Sequence, residues 1–103
     1  MHSLNYIQFI QLFSAALFCL GLFAVITKKN MILILIGIEL MINASLVNLS
    51  LTDQIINKID GQMMALFAMV LSAASIAVAL AIIIKAYQYF NTVDPDQINQ
   101  FKN

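Results

Sequence analysis

An all-α membrane protein of three transmembrane helices, running up-down-up, is the fold this sequence predicts, and three observations predict it. Of 103 residues, 62% are hydrophobic and 10% charged, where a soluble globular domain carries about 25% charged residues. The apolar residues gather in three blocks, 7–26, 31–51 and 63–84, of 20 to 22 residues each. At ~1.5 Å rise per residue, each block as a helix matches a hydrocarbon core of ~30 Å. None of the blocks alternates with the period of two that a strand requires. A chain of this length buries only ~60–70% of its unfolded surface, and it holds too little polar material to cover the remainder in water. A lone soluble monomer is thereby excluded, and residues 1–103 read as one membrane domain.

The first block is interrupted only by Gln8, Gln11 and small residues. It has no basic residues ahead of it and no small-x-small site behind it, so it is expected to be a retained helix and not a cleaved signal. The second block carries one charge, Glu39, and the third carries none. Inside hydrocarbon the backbone must satisfy its own hydrogen bonds, which makes each block helical. Thr27-Lys28-Lys29-Asn30 joins the first two helices, Thr52 to Gln62 joins the second and third, and a polar tail occupies 91–103. Two crossings separate Lys28 and Lys29 from Lys85 and Lys102, so these four share a side, opposed by Lys58 and His2. The excess of Lys places the first loop and the C-terminus in the cytoplasm and the N-terminus outside. Tyr87, Tyr89 and Phe90 follow Lys85 as an interfacial aromatic belt. In the tail, Asp94-Pro95-Asp96-Gln97 reads as an N-cap, a proline at the first helical position and a Gln at N3. A short helix with Ile98 and Phe101 on one face is expected there.

Inventory excludes several classes of chemistry. Five Lys balance five acids, leaving no basic face for nucleic acid. The single cysteine, Cys19, forms no internal disulfide and builds no thiolate metal site alone, and the single histidine, His2, stands at the N-terminal end. Packing is left to small residues and interhelical hydrogen bonds, because lipid supplies no hydrophobic drive between helices. Ala65, Ala68, Ser72, Ser75 and Ala79 form one such stripe on the third helix. On the second, Glu39, Asn43 and Ser50 share a face, with Gly37 close by. Two such faces predict protein neighbours on more than one side, and so membership of a larger membrane assembly.

Glu39 is the only Glu in the chain and the only ionisable group well inside a block. It stands eight residues past Met31, ~12 Å along a helix. A charged carboxylate near the bilayer centre costs at least ~2.5–3.5 kcal/mol on insertion scales, and it is tolerated where it faces protein or water or takes up a proton. Each tenfold change in a group's proton affinity corresponds to ~1.4 kcal/mol, and carrying one charge through ~100 mV to ~2.3 kcal/mol. A swing of about two decades in affinity thus matches the electrical work on one proton. Glu39 is therefore the candidate proton relay. The alternative is a permanently neutral carboxyl pinned to Asn43 one turn on.

The run Lys29-Asn30-Met31, then Ile36-Gly37-Ile38-Glu39-Leu40-Met41-Ile42-Asn43-Ala44, resembles the second helix of the K-type (4L-type) small membrane subunit of complex I, the proton-translocating NADH:quinone oxidoreductase. Gly61-Gln62, Phe67-Ala68-Met69-Val70-Leu71, Ala77-Val78-Ala79-Leu80-Ala81 and Thr92-Val93-Asp94 extend the likeness over nearly the whole chain. The resemblance implies a non-redox subunit of a translocase, packed among antiporter-like and other small hydrophobic subunits and lipid in a hetero-oligomer. It implies no cofactor in this chain, with flavin, iron–sulfur clusters and quinone held elsewhere in the complex. It implies an energy-converting membrane, with the bacterial plasma (inner) membrane as the expectation and mitochondrial inner and thylakoid membranes as the other settings. Members of this family usually carry a second intramembrane glutamate in the third helix. Aligning the flanks puts it at Ser75, which lies at nearly the depth of Glu39 and could face it. A hydroxyl holds a water or relays a proton but stores no charge at neutral pH. Four other readings compete. The small subunit of a multisubunit cation/proton antiporter also has three helices, and the Ile-Glu-Leu motif and the Gly-Gln start of the third helix favour complex I over it. A homodimeric multidrug transporter needs four spans in this length. A rotary-ATPase ring subunit is a Gly-rich two-helix hairpin. A structural scaffold subunit would leave Glu39 inert.

Overall fold

The computed structural model describes residues 2–56 and 59–101, with side chains described over 5–52 and 59–100. Lys58 and Lys102, and the side chains of His2, Asp53 and Phe101, lie outside the described residues. The chain is built of α1 (His2–Thr27), α2 (Met31–Ile56), α3 (Asp60–Phe90) and a short α4 (Pro95–Phe101). Three of these helices, over Asn5–Thr27, Met31–Thr52 and Asp60–Phe90, are long and apolar enough to cross a membrane. The protein is thus an all-α, three-helix membrane protein. The helices run past the apolar blocks at several ends. α3, at 31 residues, continues through Lys85 and the aromatic run to Phe90, because an interfacial Tyr or Gln breaks apolarity without breaking a helix.

Each boundary has a local cause. Lys28 donates its amide to Ala24 at 3.1 Å and the Thr27 hydroxyl bonds Phe23 O at 2.7 Å, closing α1. Asn30 caps α2: its Oδ1 accepts the Ile32 amide at 2.9 Å while its carbonyl accepts the amide of Ile34 at 2.9 Å. α3 ends at Asn91 in the left-handed region, φ 59° and ψ 28°, a conformation that Asn tolerates better than most residues. The chain then turns, and the carbonyl of Val93 accepts the amide of Met31 at 2.9 Å. An amide that a helix start leaves without an internal partner is thus satisfied by the other end of the protein.

The tail helix forms where the sequence places its cap. Asp94 Oδ1 accepts the Asp96 amide at 2.9 Å and Pro95 takes the first helical position. The expected reciprocal bond from Gln97 is modified: Thr92 is inserted between the partners. Its hydroxyl accepts the Asp94 amide at 3.1 Å and donates to Gln97 Oε1 at 2.6 Å.

The chain measures 59 × 25 × 16 Å, and its three long helices form a slab with α2 in the middle, packed on α1 along one side and on α3 along the other. The small thickness is that of helices laid side by side. Much of the apolar surface is consequently uncovered, with Phe9, Leu12, Ile26 and Phe67 all at least 67% exposed. In a bilayer that surface meets lipid or neighbouring chains.

Candidate functional site

The site is organised by the two faces of α2. Against α1, Gly37 meets Gly21 and both are buried. A Cβ at position 21 would lie 2.5 Å from the Gly37 carbonyl oxygen, and one at position 37 would lie 2.7 Å from that of Gly21. Only glycine on both helices permits this approach. Seven residues away along each helix, fully buried Ser14 donates its hydroxyl to Ala44 O at 2.6 Å. Gly37 and Ala44 thus belong to the α1 seam. The expectation that Gly37 lies near the face of Glu39 is corrected, since two residues turn a helix by ~200°.

Glu39 lies on the other face. It is half-buried, and its Oε2 accepts the hydroxyl of Ser72 on α3 at 3.0 Å. It lines an apolar groove of ≈ 310 Å³ with Ile32, Leu35, Ile36, Leu40, Ile76 and Leu80. The polar pin is therefore Ser72 and not Asn43, whose side chain is exposed one turn along. Ser50, further along α2, is half-buried beside two other grooves, one shared with Tyr6 and Met69 and one with Gln62 and Ala65.

The structure places Ser75 away from Glu39. It is exposed and lines a separate groove with Ala74, Val78, Ala79 and Ile82. Ala65 and Ile83 of α3 are buried and Ala68, Ser72, Ile76 and Ala79 half-buried, so Ile76 takes the place in the seam that the small-residue stripe gave to Ser75. Three residues fall short of a full turn by ~60° and four overshoot by ~40°; after Ser72 the longer step keeps the seam facing α2. Ser14 and Gly21 were not singled out by sequence reasoning. The seven-residue spacings Ser14–Gly21 and Gly37–Ala44 were the available signal. Among the described residues, no three of His, Cys, Asp or Glu gather as a metal site requires.

Three bilayer-length helices, the middle one presenting the Glu39 carboxylate to a neighbouring helix, define a multi-pass membrane protein with an intramembrane acid. Residues 9–103 match the family described as NADH-ubiquinone/plastoquinone oxidoreductase chain 4L. The chain belongs to that family. It is 45% identical over 89 residues to the NADH-quinone oxidoreductase subunit K of Chlorobaculum parvum, covering 86% of this chain and 85% of the relative. It is 42% identical to the subunit of the same name from Brevibacillus brevis, covering 84% and 85%. The chloroplastic NAD(P)H-quinone oxidoreductase subunit 4L of Nephroselmis olivacea is 39% identical over 93 residues, covering 88% and 92%.

Proposed function

We propose that this chain is a core membrane-arm subunit of a complex I-type NADH:quinone oxidoreductase and that Glu39 contributes an intramembrane carboxylate to its proton-translocation path. The family and the names of its relatives support the first part. The second is carried by one observation: Glu39, the only acid well inside an apolar block of the sequence, is half-buried on the α2–α3 seam, hydrogen-bonded to Ser72 and open to a groove. A carboxylate turned to lipid would be costly, whereas one set between helices beside a groove has both a solvating partner and a place for a neighbour or water to reach it.

On this reading the chain performs no redox step. Flavin, iron–sulfur clusters and quinone belong to other subunits, and the exposed apolar flanks are covered by antiporter-like and small hydrophobic subunits and by lipid. The Lys distribution favours the α1–α2 loop and α4 on the cytoplasmic side, and a bacterial plasma membrane is the setting proposed for the complex. A scaffold without a proton role is the second reading, favoured by the absence of any ionisable residue between Asp60 and Lys85.

Replacing the carboxyl by an amide of the same shape separates the two. Glu39→Gln in the intact complex, reconstituted into sealed vesicles, is expected to abolish most proton pumping while leaving assembly and NADH oxidation by an artificial acceptor in place. Pumping equal to wild type would leave the scaffold.

A further inference from the structure

We propose that Ser72 is the positioning residue for Glu39, holding the carboxyl in one place while its proton comes and goes. This rests on the reading of Glu39 as a proton relay, and it assigns to Ser72 the partnership that alignment with the family gives to position 75. Two independent features carry it beyond the 3.0 Å bond itself.

The first is what three other helical hydroxyls do. Thr27, Ser45 and Thr52 each donate to the carbonyl four residues back on their own helix, the ordinary habit of a helical Ser or Thr. Ser72 leaves its own helix and donates to an ionisable group on the next. Ser14 also crosses, but to a backbone carbonyl that does not titrate.

The second is the chemistry of the pair. A hydroxyl has one donor and two acceptor lone pairs and rotates freely about its C–O bond. Facing a carboxylate it donates. Facing a protonated carboxyl it turns and accepts the carboxyl O–H. The bond survives both states, Oγ keeps its own proton throughout, and the relayed proton enters and leaves only at Glu39. A second carboxylate at this distance would repel the first, so the serine supports the anion without storing charge. Ser72 is half-buried on the seam whereas Ser75 is exposed in another groove.

The test uses the intact complex. Ser72→Ala keeps the seam small but removes the donor, and is expected to lower the pumping rate about tenfold, the scale of losing one hydrogen bond to a charged group. Ser72→Thr restores the hydroxyl and the pumping. Ser72→Cys, close in volume with a weaker donor, gives an intermediate rate. The infrared carboxyl band, identified by its loss in Glu39→Gln, shifts in Ser72→Ala and returns in Ser72→Thr. A role limited to packing would move neither band nor rate, and that result overturns the proposal. If Glu39→Gln pumps normally, the relay reading itself falls. If Glu39→Gln is silent but Ser72→Ala pumps with an unshifted band, the positioning role alone falls.

Discussion

The two interfaces of α2 are made in different ways. Against α1 the contact is backbone on backbone at Gly21 and Gly37, reinforced by a buried hydroxyl from Ser14. Against α3 the contact is side chain on side chain through Ser72, Ile76 and Glu39. Grooves flank both interfaces, one of ≈ 340 Å³ between α1 and α2 and others of ≈ 310 and ≈ 480 Å³ between α2 and α3. Close-packed interiors have low compressibility, so the first interface fixes α2 in place. The second is made by side chains, which can change rotamer without moving a backbone. Glu39 lies on this second seam, where, on the proposed relay reading, a group can change state without disturbing the backbone contact.

This contrast can be broken most severely at its tight side. Gly37→Leu drives a side chain into the backbone of α1, where no rotamer relieves the clash; overpacking of this kind costs about 3 kcal/mol or more. Loss of the subunit from the purified complex, seen on a native gel, is the expected result. Ser14→Ala removes one interhelical hydrogen bond and is expected to cost about 1 kcal/mol, read as a lower thermal midpoint of the assembled complex with pumping unchanged. Ser75→Ala is expected to be the mildest, within about 0.5 kcal/mol of wild type and with normal pumping. A large coupling defect at Ser75 would move the functional seam to the outer groove and undo the distinction between the two faces.

The helices and Glu39 were legible because both rest on bulk properties. Apolar length answers to bilayer thickness, and a lone acid in hydrocarbon is conspicuous by its cost. Ser72 against Ser75 was not legible, since serines three apart on a helix differ by only ~60° in direction. Choosing between them requires the position of the neighbouring helix. The glycine pair was harder still. Gly21 and Gly37 gain their meaning from each other, and nothing within either helix names its partner on the next. The cap at Asp94 was signalled by its residue type, but the bond from Met31 to Val93 joins two backbone groups and leaves no mark in side chains. The modified cap at Thr92 followed from the same blindness to how the chain returns.

That return has a mechanical consequence. The bond between the Met31 amide and the Val93 carbonyl closes the polypeptide from α2 through α3 into a ring. With the ring shut, sliding the central helix by a single ~1.5 Å rise stretches the 2.9 Å link and sacrifices about 1 kcal/mol. The clasp at one end therefore favours the elevation at which the carboxyl further along meets the serine opposite.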